Sequence, residues 1–453
     1  MNLQGKKVFV YGLGRTGVSV VLSLTRSGAQ VYVWDDKTTS WPDELQGINN
    51  TEICGPEILN WEEIDLMVKS PGISYESYAV KRAEKENVPI IGDIDLFFEK
   101  ERNATFIGIT GTNGKSTTTA LIAHVIREAG IPVEVGGNFG IPALSLPSLG
   151  SKGVYVLELS SYQLEMIEKA YFDVSIFLNL TPDHLEHHGS MQNYLEAKKH
   201  IFDRQDAKAI RIMGVDNKET KALAKELSSD KQKLYSVMFG EEGANVIITP
   251  EGLLAIADEE GFYETILNFH DFPNLPGEHN WQNIACAYLA TKEFMDRDTF
   301  IRGLEKFTGL PHRLEIVHKE NNILFVNDSK ATNAPAANCA LSSYSNIYWL
   351  AGGLAKEEGV KPCISSLKNV RAVFLFGDAM DRFYDELQAH IPVFKCETMD
   401  EAVKQAYVSA KQEMCQDPVV LLSPACASFD QFSSYEHRGD VFASLCRDIS
   451  EDA

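Results

Sequence analysis

The amino-acid sequence predicts an α/β protein of three domains, each a mainly parallel sheet flanked by helices. Three observations carry this. Apolar runs of strand length that end in small or acidic residues, such as KKVFVYG, FIGITG, VYVLELSS and ILFVND, alternate with helical segments along the chain. That alternation is the pattern of parallel strands joined by crossover helices. Glycine-rich strand-to-helix turns occur at two separate places, residues 12–17 and 111–117. The 453 residues are 44% hydrophobic and 23% charged, an ordinary globular composition whose length suggests about three domains.

The blocks follow in order. Residues 1–93 form the first: KKVFVYG is a strand, GRTGVSVVLSLTRSG a helix, AQVYVWDD a strand ending in acid, and DLMVKSPGI a strand closed by Pro71-Gly72. The second, 94–309, opens with FIGITGTNGKS, continues through the strands VYVLELSS and FDVSIFLNLTPDH, and carries the helical stretch MQNYLEAKKHIF. The third, 310–453, follows LPHRLEIV; ILFVND, NIYWLAGG, RAVFLFGD and PVVLLSPA alternate with helices. Their turn residues, Asp328, Gly352, Gly353, Gly377 and Ser423, stand at the carboxyl ends of strands, where open parallel sheets bind ligands.

Gly12, Gly14 and Gly17 make a G-x-G-x-x-G turn, and Asp35 ends the next strand at the spacing of an acid that meets a ribose hydroxyl. This predicts a Rossmann-like first domain. A dinucleotide is the first expectation from the pattern. A dinucleotide site needs two mononucleotide halves, however, and a new nucleotide-type strand begins by residue 105. A mononucleotide such as a UDP group, its diphosphate at the helix N-terminus near Arg15 and Thr16, suits the available length better. The second loop, Gly111-Thr112-Asn113-Gly114-Lys115-Ser116-Thr117, is a shortened P-loop: Ile109 stands where the longer motif has its first glycine. The physical parts remain: small residues that expose backbone N–H groups to phosphate oxygens, Lys115 as a point charge, and Ser116 or Thr117 as a hydroxyl for Mg²⁺. The central domain is therefore expected to be a P-loop-type ATPase, and ATP or GTP its ligand.

Glu158 ends an apolar strand, a position suited to organising Mg²⁺, although strand-end acids also serve as loop formers. Asp183 and His184 follow another strand. His184, His187 and His188 lack a cysteine or an HExxH frame, so their spacing alone does not indicate a transition metal. Lys198 reads from spacing as a solvated helix lysine. Arg313 stands at the presumed hinge, and Asp328, Lys330 and Thr332 form a polar cluster that is either a helix cap or a nucleotide contact.

The formal net charge of −22 excludes a general nucleic-acid binder, which needs a basic footprint. No apolar run approaches the roughly 20 residues that span a bilayer, so no membrane insertion is expected. MNLQGKKVFVYGLG runs straight into a strand without a signal-peptide pattern. Eight scattered cysteines form no CxxC pair, consistent with reduced thiols in a cytoplasmic protein.

In fixed order GITGTNGKSTTT, ELSSYQLE, NLTPDHLEHH, PHRLE, NDSKATN and SPACASFDQF resemble the Mur ligases over essentially the whole chain, and SSYQLE and SPACAS resemble in particular the branch that adds D-glutamate. The resemblance implies a Rossmann-like C-terminal domain and an ADP-forming amide ligase of peptidoglycan precursor synthesis. Its partners would be UDP-N-acetylmuramoyl-L-alanine, D-glutamate, ATP and two Mg²⁺ ions, with a monomeric, cytoplasmic protein expected. It further implies that the first domain holds UDP rather than NAD. Gly111 to Thr117 grip the ATP phosphates, and Asn280, Asn283, Arg313 and Asp328 meet the nucleotide. Ser116, Glu158, His184 and a carbamylated Lys198 organise the metal, and Lys115, Glu158, His184 and Lys198 are the catalytic set. Arg15, Thr16, Asp35, Gly72 and Asn138 meet the UDP-substrate, with Asp36 and Lys37 near uracil. Lys330, Thr332, Lys356, Ser428 and Phe429 hold D-glutamate. The rival readings are another ADP-forming amide ligase, such as a folate polyglutamylating one, an NAD-dependent oxidoreductase, and a nucleotide-dependent switch without turnover.

Overall fold

A computed structural model describes residues 3–37, 41–240, 244–258, 260–357, 359–413 and 415–449. The chain divides into two compact units, Met1–Asn268 with Gln282–Glu305, and Phe269–Trp281 with Lys306–Ala453.

The first unit carries two sheets. In one, β1 (Lys7–Tyr11) leads through the first glycine turn into α1 (Arg15–Arg26), then β2 (Gln30–Trp34), β3 (Thr51–Ile53), β4 (Leu66–Lys69), α2 (Tyr78–Lys85) and β5 (Ile90–Ile91). The order is β3-β2-β1-β4-β5, all parallel. Val8 and Val10 join one core with Val31 and Val33; Phe9 and Tyr11 join another with Trp61 and Met67. A strand buried on both faces reads as an unbroken apolar run, which is why KVFVY is legible. Beyond β1 only β4 and the two-residue β5 extend the sheet, so one mononucleotide half is complete and the second is a remnant.

The helix α3 (Asp93–Lys100) leads to the second sheet. Its elements are β6 (Thr105–Thr110), α4 (Lys115–Glu128), β7 (Val133–Gly137), β8 (Val154–Glu158), the short α5 (Ser161–Leu164), β9 (Val174–Phe177), α6 (Leu185–His188), α7 (Met191–Lys199), β10 (Ile210–Gly214), α8 (Lys218–Leu227), β11 (Lys233–Phe239), β12 (Val246–Ile248), β13 (Leu253–Ala257) and β14 (Tyr263–Asn268). The helices α9 (Glu278–Thr291) and α10 (Arg297–Glu305) follow, and the boundary between units runs through α9 after Trp281. In the order β14-β13-β12-β11-β10-β9-β6-β8-β7, the stretch from β12 to β7 is parallel and β12, β13 and β14 are antiparallel. β6 sits between β9 and β8, so the loop after β6 opens beside the ends of both.

The second unit holds β15 (Glu315–Glu320), β16 (Ile323–Asn327), α11 (Ala334–Ser343), β17 (Ile347–Gly352), β18 (Val370–Phe376), α12 (Met380–Leu387), β19 (Val393–Lys395), α13 (Met399–Glu413), β20 (Val419–Leu422) and α14 (Tyr435–Asp448). The order is β15-β16-β20-β17-β18-β19, parallel except for β15. Trp349 and Val373 bury on one face, Tyr348 and Phe374 on the other. All eight cysteines are unpaired. Among the described residues no helix is long and apolar enough to cross a membrane.

Candidate active site

The first glycine turn has a steric cause. Gly12 adopts φ +101°, and a Cβ on Gly17 would collide with the Gly12 carbonyl. Asp35 fastens this turn: Oδ2 accepts the Leu13 N–H (2.7 Å) and Oδ1 the Lys37 N–H (2.9 Å). Thr16 lies in the first turn of α1, while Arg15 Nη2 donates to the Gly140 carbonyl (2.7 Å). Asp36 accepts from Tyr11 Oη (2.6 Å) and Trp34 Nε1 (2.9 Å). Residues 38–40 of the same loop lie outside the described residues.

The second glycine loop connects β6 to α4. Gly114 has φ +83°, and a Cβ there would collide with Asn283 Oδ1. The Asn113 N–H donates to Asn179 Oδ1 (2.9 Å) and Asn179 Nδ2 returns a bond to the Asn113 carbonyl (3.1 Å). Thr112 Oγ1 donates to the Thr181 carbonyl (3.1 Å) and accepts the Thr181 N–H (3.0 Å). The loop is thus preset by the segment after β9. It feeds a 14-residue helix whose N-terminus no side chain caps, an arrangement that favours an anion. Thr117 is half-buried in its first turn, and Thr118 Oγ1 donates to Asn283 Oδ1 (3.1 Å).

Two lysines share one acceptor. Lys115 Nζ donates to the Gly111 and Thr112 carbonyls (2.9 Å each), and Lys198 Nζ donates to the same Gly111 carbonyl (2.9 Å) and to Thr110 Oγ1 (3.3 Å). Lys198 is 1% exposed, not the solvated lysine its spacing suggested. On α7 the buried stripe runs through Tyr194, Ala197 and Lys198, three and four residues apart, and the lysine falls on it. Burial first, and then the Lys115 charge, hold its ammonium well below the usual lysine pKa and favour the neutral amine.

Glu158, 2% exposed, ends β8 beside this pair. Its Oε2 accepts from Ser116 Oγ (2.6 Å) and its Oε1 from Asn138 Nδ2 (2.7 Å). Gly72, Lys115, Asn138, His184, Tyr194 and Lys198 all line one cavity of about 410 Å³. His184 reaches it from a left-handed backbone (φ +53°) that starts α6. The fold therefore brings Lys115, Ser116, Glu158, Asn138, His184 and Lys198 together, with Gly72 of the first sheet on the same cavity wall.

In the second unit Asp328 directly follows β16. Its Oδ2 accepts from Ser423 Oγ (2.8 Å) and its Oδ1 from the Leu314 N–H (3.3 Å). Burial pushes its carboxyl up to about 7, against the hydrogen bonds and the Arg313 and Arg438 charges. Arg313 stands between His312 and Leu314, both at positive φ. Lys330 Nζ lies 4.1 Å from the centroid of the Tyr435 ring. Thr332 precedes Asn333, the N-cap of α11. Lys356 and Phe429 are exposed and Ser428 is 2% exposed. The chain segments bearing these three residues are joined by the paired Leu354 and Ala427 backbones (2.9 and 3.1 Å). Asn280, on α9 within this unit, donates from Nδ2 to the Pro276 carbonyl (2.8 Å).

Sequence reasoning passed over Arg438, which is fully buried on α14. Its Nε donates to Ser329 Oγ (2.9 Å), Nη2 to the Ser329 and Cys426 carbonyls (2.8 and 3.0 Å), and Nη1 to those of Ala427 and Gly352 (3.3 and 3.5 Å). One guanidinium ties the loops after β16, β17 and β20. The available signal was the apolar stripe Phe442 and Cys446, which extends back by four residues to 438. Tyr162, Asn179 and Thr181 were also missed: they lie inside SSYQLE and NLTPDHLEHH, but nothing in those strings sets them apart from their neighbours.

Comparison with known proteins accounts for nearly all of the chain. Residues 6–92 match the model of the Mur ligase MurD-like N-terminal domain, 109–291 the Mur ligase middle domain, and 312–426 the Mur ligase glutamate ligase domain. A protein of Paramagnetospirillum magneticum named UDP-N-acetylmuramoylalanine–D-glutamate ligase is 39% identical, covering 98% of this chain and 96% of its own. The chain belongs to the Mur ligase family. A second relative with the same name, from Phenylobacterium zucineum, is 38% identical over 99% of this Mur ligase and 98% of its own length. Among solved structures, a MurF ligase from Thermotoga maritima in complex with ADP aligns with a TM-score of 0.60 at 17% identity, covering 100% and 96% of the two chains. The UDP-N-acetylmuramate-alanine ligase of the same organism aligns at 0.56 with 18% identity and 99% of each chain covered. At these identities the structures establish the shared three-sheet α/β fold.

Proposed function

We propose that this Mur ligase joins D-glutamate to UDP-N-acetylmuramoyl-L-alanine with ATP, forming ADP and phosphate, in the synthesis of a peptidoglycan precursor. One observation carries the reading. Lys115 and Lys198 meet at the Gly111 carbonyl beside the Glu158–Ser116 pair, on a cavity that Gly72, Asn138 and His184 also line. A phosphate grip, a hard oxygen-rich cation site and a wall from the first sheet therefore stand together. The name shared by the full-length relatives supports D-glutamate as the incoming amine.

The division of labour follows three domains, 1–93, 94–309 and 310–453. Arg15, Thr16, Asp35, Gly72 and Asn138 take the UDP-substrate, with the N-terminus of α1 facing its diphosphate. Gly111 to Thr117, Asn280, Asn283, Arg313 and Asp328 take ATP. Lys330, Thr332, Lys356, Ser428 and Phe429 take D-glutamate, whose two carboxylates suit the two lysines. The protein works as a cytoplasmic monomer.

The donor set fits Mg²⁺: a buried carboxylate already in contact with a phosphate-loop hydroxyl, and a lysine whose burial lowers its pKa and so favours the free amine that adds CO₂ to become an anionic oxygen ligand. Ser116, Glu158, His184 and carbamylated Lys198 would hold it, and Mg²⁺ bound there offsets the charge of the phosphates. A carboxylate is a poor electrophile, so activation comes first. An oxygen of the L-alanine carboxylate attacks the γ-phosphorus, the bond to the β,γ-bridging oxygen breaks, and ADP leaves. Lys115 stabilises charge that develops on the transferring group. The D-glutamate amine then attacks the acyl carbon and gives up a proton. The carbon–oxygen bond breaks, and inorganic phosphate leaves with the activating pair of electrons. Phosphate release with UDP-N-acetylmuramoyl-L-alanine and a panel of amino acids tests the reading. D-glutamate alone is expected to support turnover. Equal turnover with L-lysine or meso-diaminopimelate would remove the D-glutamate assignment and leave the ligase one.

A further inference from the structure

The sequence offers clustered histidines without a cysteine or an HExxH frame; the fold adds a carboxylate from the preceding segment. Glu165 follows α5, and its carboxylate faces both rings: Oε2 is 3.0 Å from His187 Nε2 and Oε1 is 2.9 Å from His188 Nδ1. One ligand atom from each of the three residues lies within 4.8 Å of the others.

The contact with His188 is close but poorly shaped for a hydrogen bond: its side chain is completely buried, and Nδ1, 2.9 Å from Glu165 Oε1, has no partner of satisfactory hydrogen-bond geometry among the described residues. The opposite ring nitrogen is engaged: Nε2 lies 2.9 Å from Ser161 Oγ. A metal-binding imidazole shows this division, with one nitrogen held by an outer partner and the other presenting its lone pair. Two donor atoms about 2.0–2.1 Å from one ion sit roughly 3 Å apart and off each other's hydrogen-bond axis. Among the described residues no Lys or Arg forms an ion pair with Glu165. Lys69, which feels the Glu165 charge, donates instead to the Ile73 and Ser70 carbonyls (2.7 and 3.5 Å).

We infer that Glu165, His187 and His188 form a binding site for a transition-metal ion of the Zn²⁺ class, separate from the cation site at Glu158 and Ser116. Two imidazoles and one carboxylate are the ligand types that suit Zn²⁺ over Mg²⁺, whose shell is dominated by oxygen. Glu165 and His187 keep 24% and 29% side-chain exposure, so an ion has a route in and a solvent position to complete its shell. Bound there, it clips the end of α5 to α6. Tyr162, whose ring centre lies 4.2 Å from that of His187, and Ser161 both line the 410 Å³ cavity, so the clip fixes one of its walls. The inference does not depend on the ligase reading.

The test is equilibrium dialysis of the full chain against Zn²⁺ with Mg²⁺ in excess, with metal content by mass spectrometry and X-ray absorption at the zinc edge. One Zn²⁺ per chain with imidazole scattering is expected, along with a rise in unfolding temperature. His187→Ala, at a partly exposed position that tolerates truncation, should weaken binding at least about ten-fold, since even outer-sphere partners of metal ligands contribute that much. Glu165→Gln should do the same, while His184→Ala should retain the ion. Failure of wild type to retain zinc would overturn the inference. So would loss of zinc in His184→Ala with full retention in His187→Ala, which would place the ion among Asp183, His184 and Glu186.

Discussion

Replacing Arg438 with methionine tests how the second unit shapes its amino-acid loops. The guanidinium makes five hydrogen bonds, and among the described residues two of its acceptors, the Ser329 and Cys426 carbonyls, receive their bonds from it (2.8 and 3.0 Å). Ala427 keeps the Leu354 N–H, and Ser329 Oγ still donates to the Tyr435 carbonyl (2.8 Å), so those acceptors lose less. Methionine fills much of the volume and leaves two buried carbonyls bare, at about 1–3 kcal/mol each. Loss of the weaker contacts brings the total to roughly 3–7 kcal/mol, at the upper end for a single substitution. For a unit of this size that corresponds to a fall of about 10–20 °C in unfolding temperature. Differential scanning calorimetry reads the fall. Steady-state kinetics should show a raised KM for D-glutamate, because Ser329 precedes Lys330 and Ala427 precedes Ser428, with binding of the UDP-substrate unchanged. Arg438→Lys should recover part of the stability. An Arg438→Met protein with wild-type melting and D-glutamate KM, or one equally impaired for the UDP-substrate, would refute the argument.

Three further outcomes are expected. Lys115→Ala should abolish turnover while calorimetric binding of the UDP-substrate stays intact; Thr16→Ala with Asp35→Ala should raise KM for the UDP-substrate more than for ATP, and an equal effect on both would refute the division of labour. Lys198→Ala should lose most activity with its fold intact by circular dichroism, and Lys198→Glu should not recover it fully. Because burial and then the Lys115 charge lower the Lys198 pKa and favour the free amine that CO₂ attacks, ¹³CO₂ should give a carbamate carbon signal at neutral pH that both variants lack. Asp328 gives a pH test. Its folded pKa of about 7 exceeds the unfolded value of about 3.9, so between those values the folded state binds the extra proton and stability falls as pH rises. Chemical denaturation from pH 4 to 7.5 should show wild type losing stability relative to Asp328→Asn, by a few kcal/mol at most; a constant difference would mean the carboxyl is ionised throughout.

The strands were legible because they are buried on both faces and therefore read as unbroken apolar runs, as in KVFVY and IYWLAG. The glycine loops were legible because Gly12, Gly17 and Gly114 meet steric demands that no other residue satisfies. The antiparallel extension β12 to β14 was not read, because its short strands carry exposed charges such as Glu264 between apolar residues. From spacing alone, with the family resemblance set aside, Lys198 and Arg438 were opaque for one reason. A cation on a helix is solvated by default, and only tertiary contacts reveal a carbonyl or a loop turned towards it. Glu165 was invisible as a partner because 22 and 23 residues separate it from His187 and His188, and a carboxylate has no spacing rule of its own.

The most direct measurement follows oxygen. UDP-N-acetylmuramoyl-L-alanine carrying ¹⁸O in the alanine carboxylate is turned over with ATP and D-glutamate, and the released phosphate is analysed by mass spectrometry. Activation through an acyl phosphate requires that the oxygen attacking the γ-phosphorus leave with the phosphate, so the account predicts one ¹⁸O in each phosphate formed with the amide product. Unlabelled phosphate accompanying the same product would contradict it.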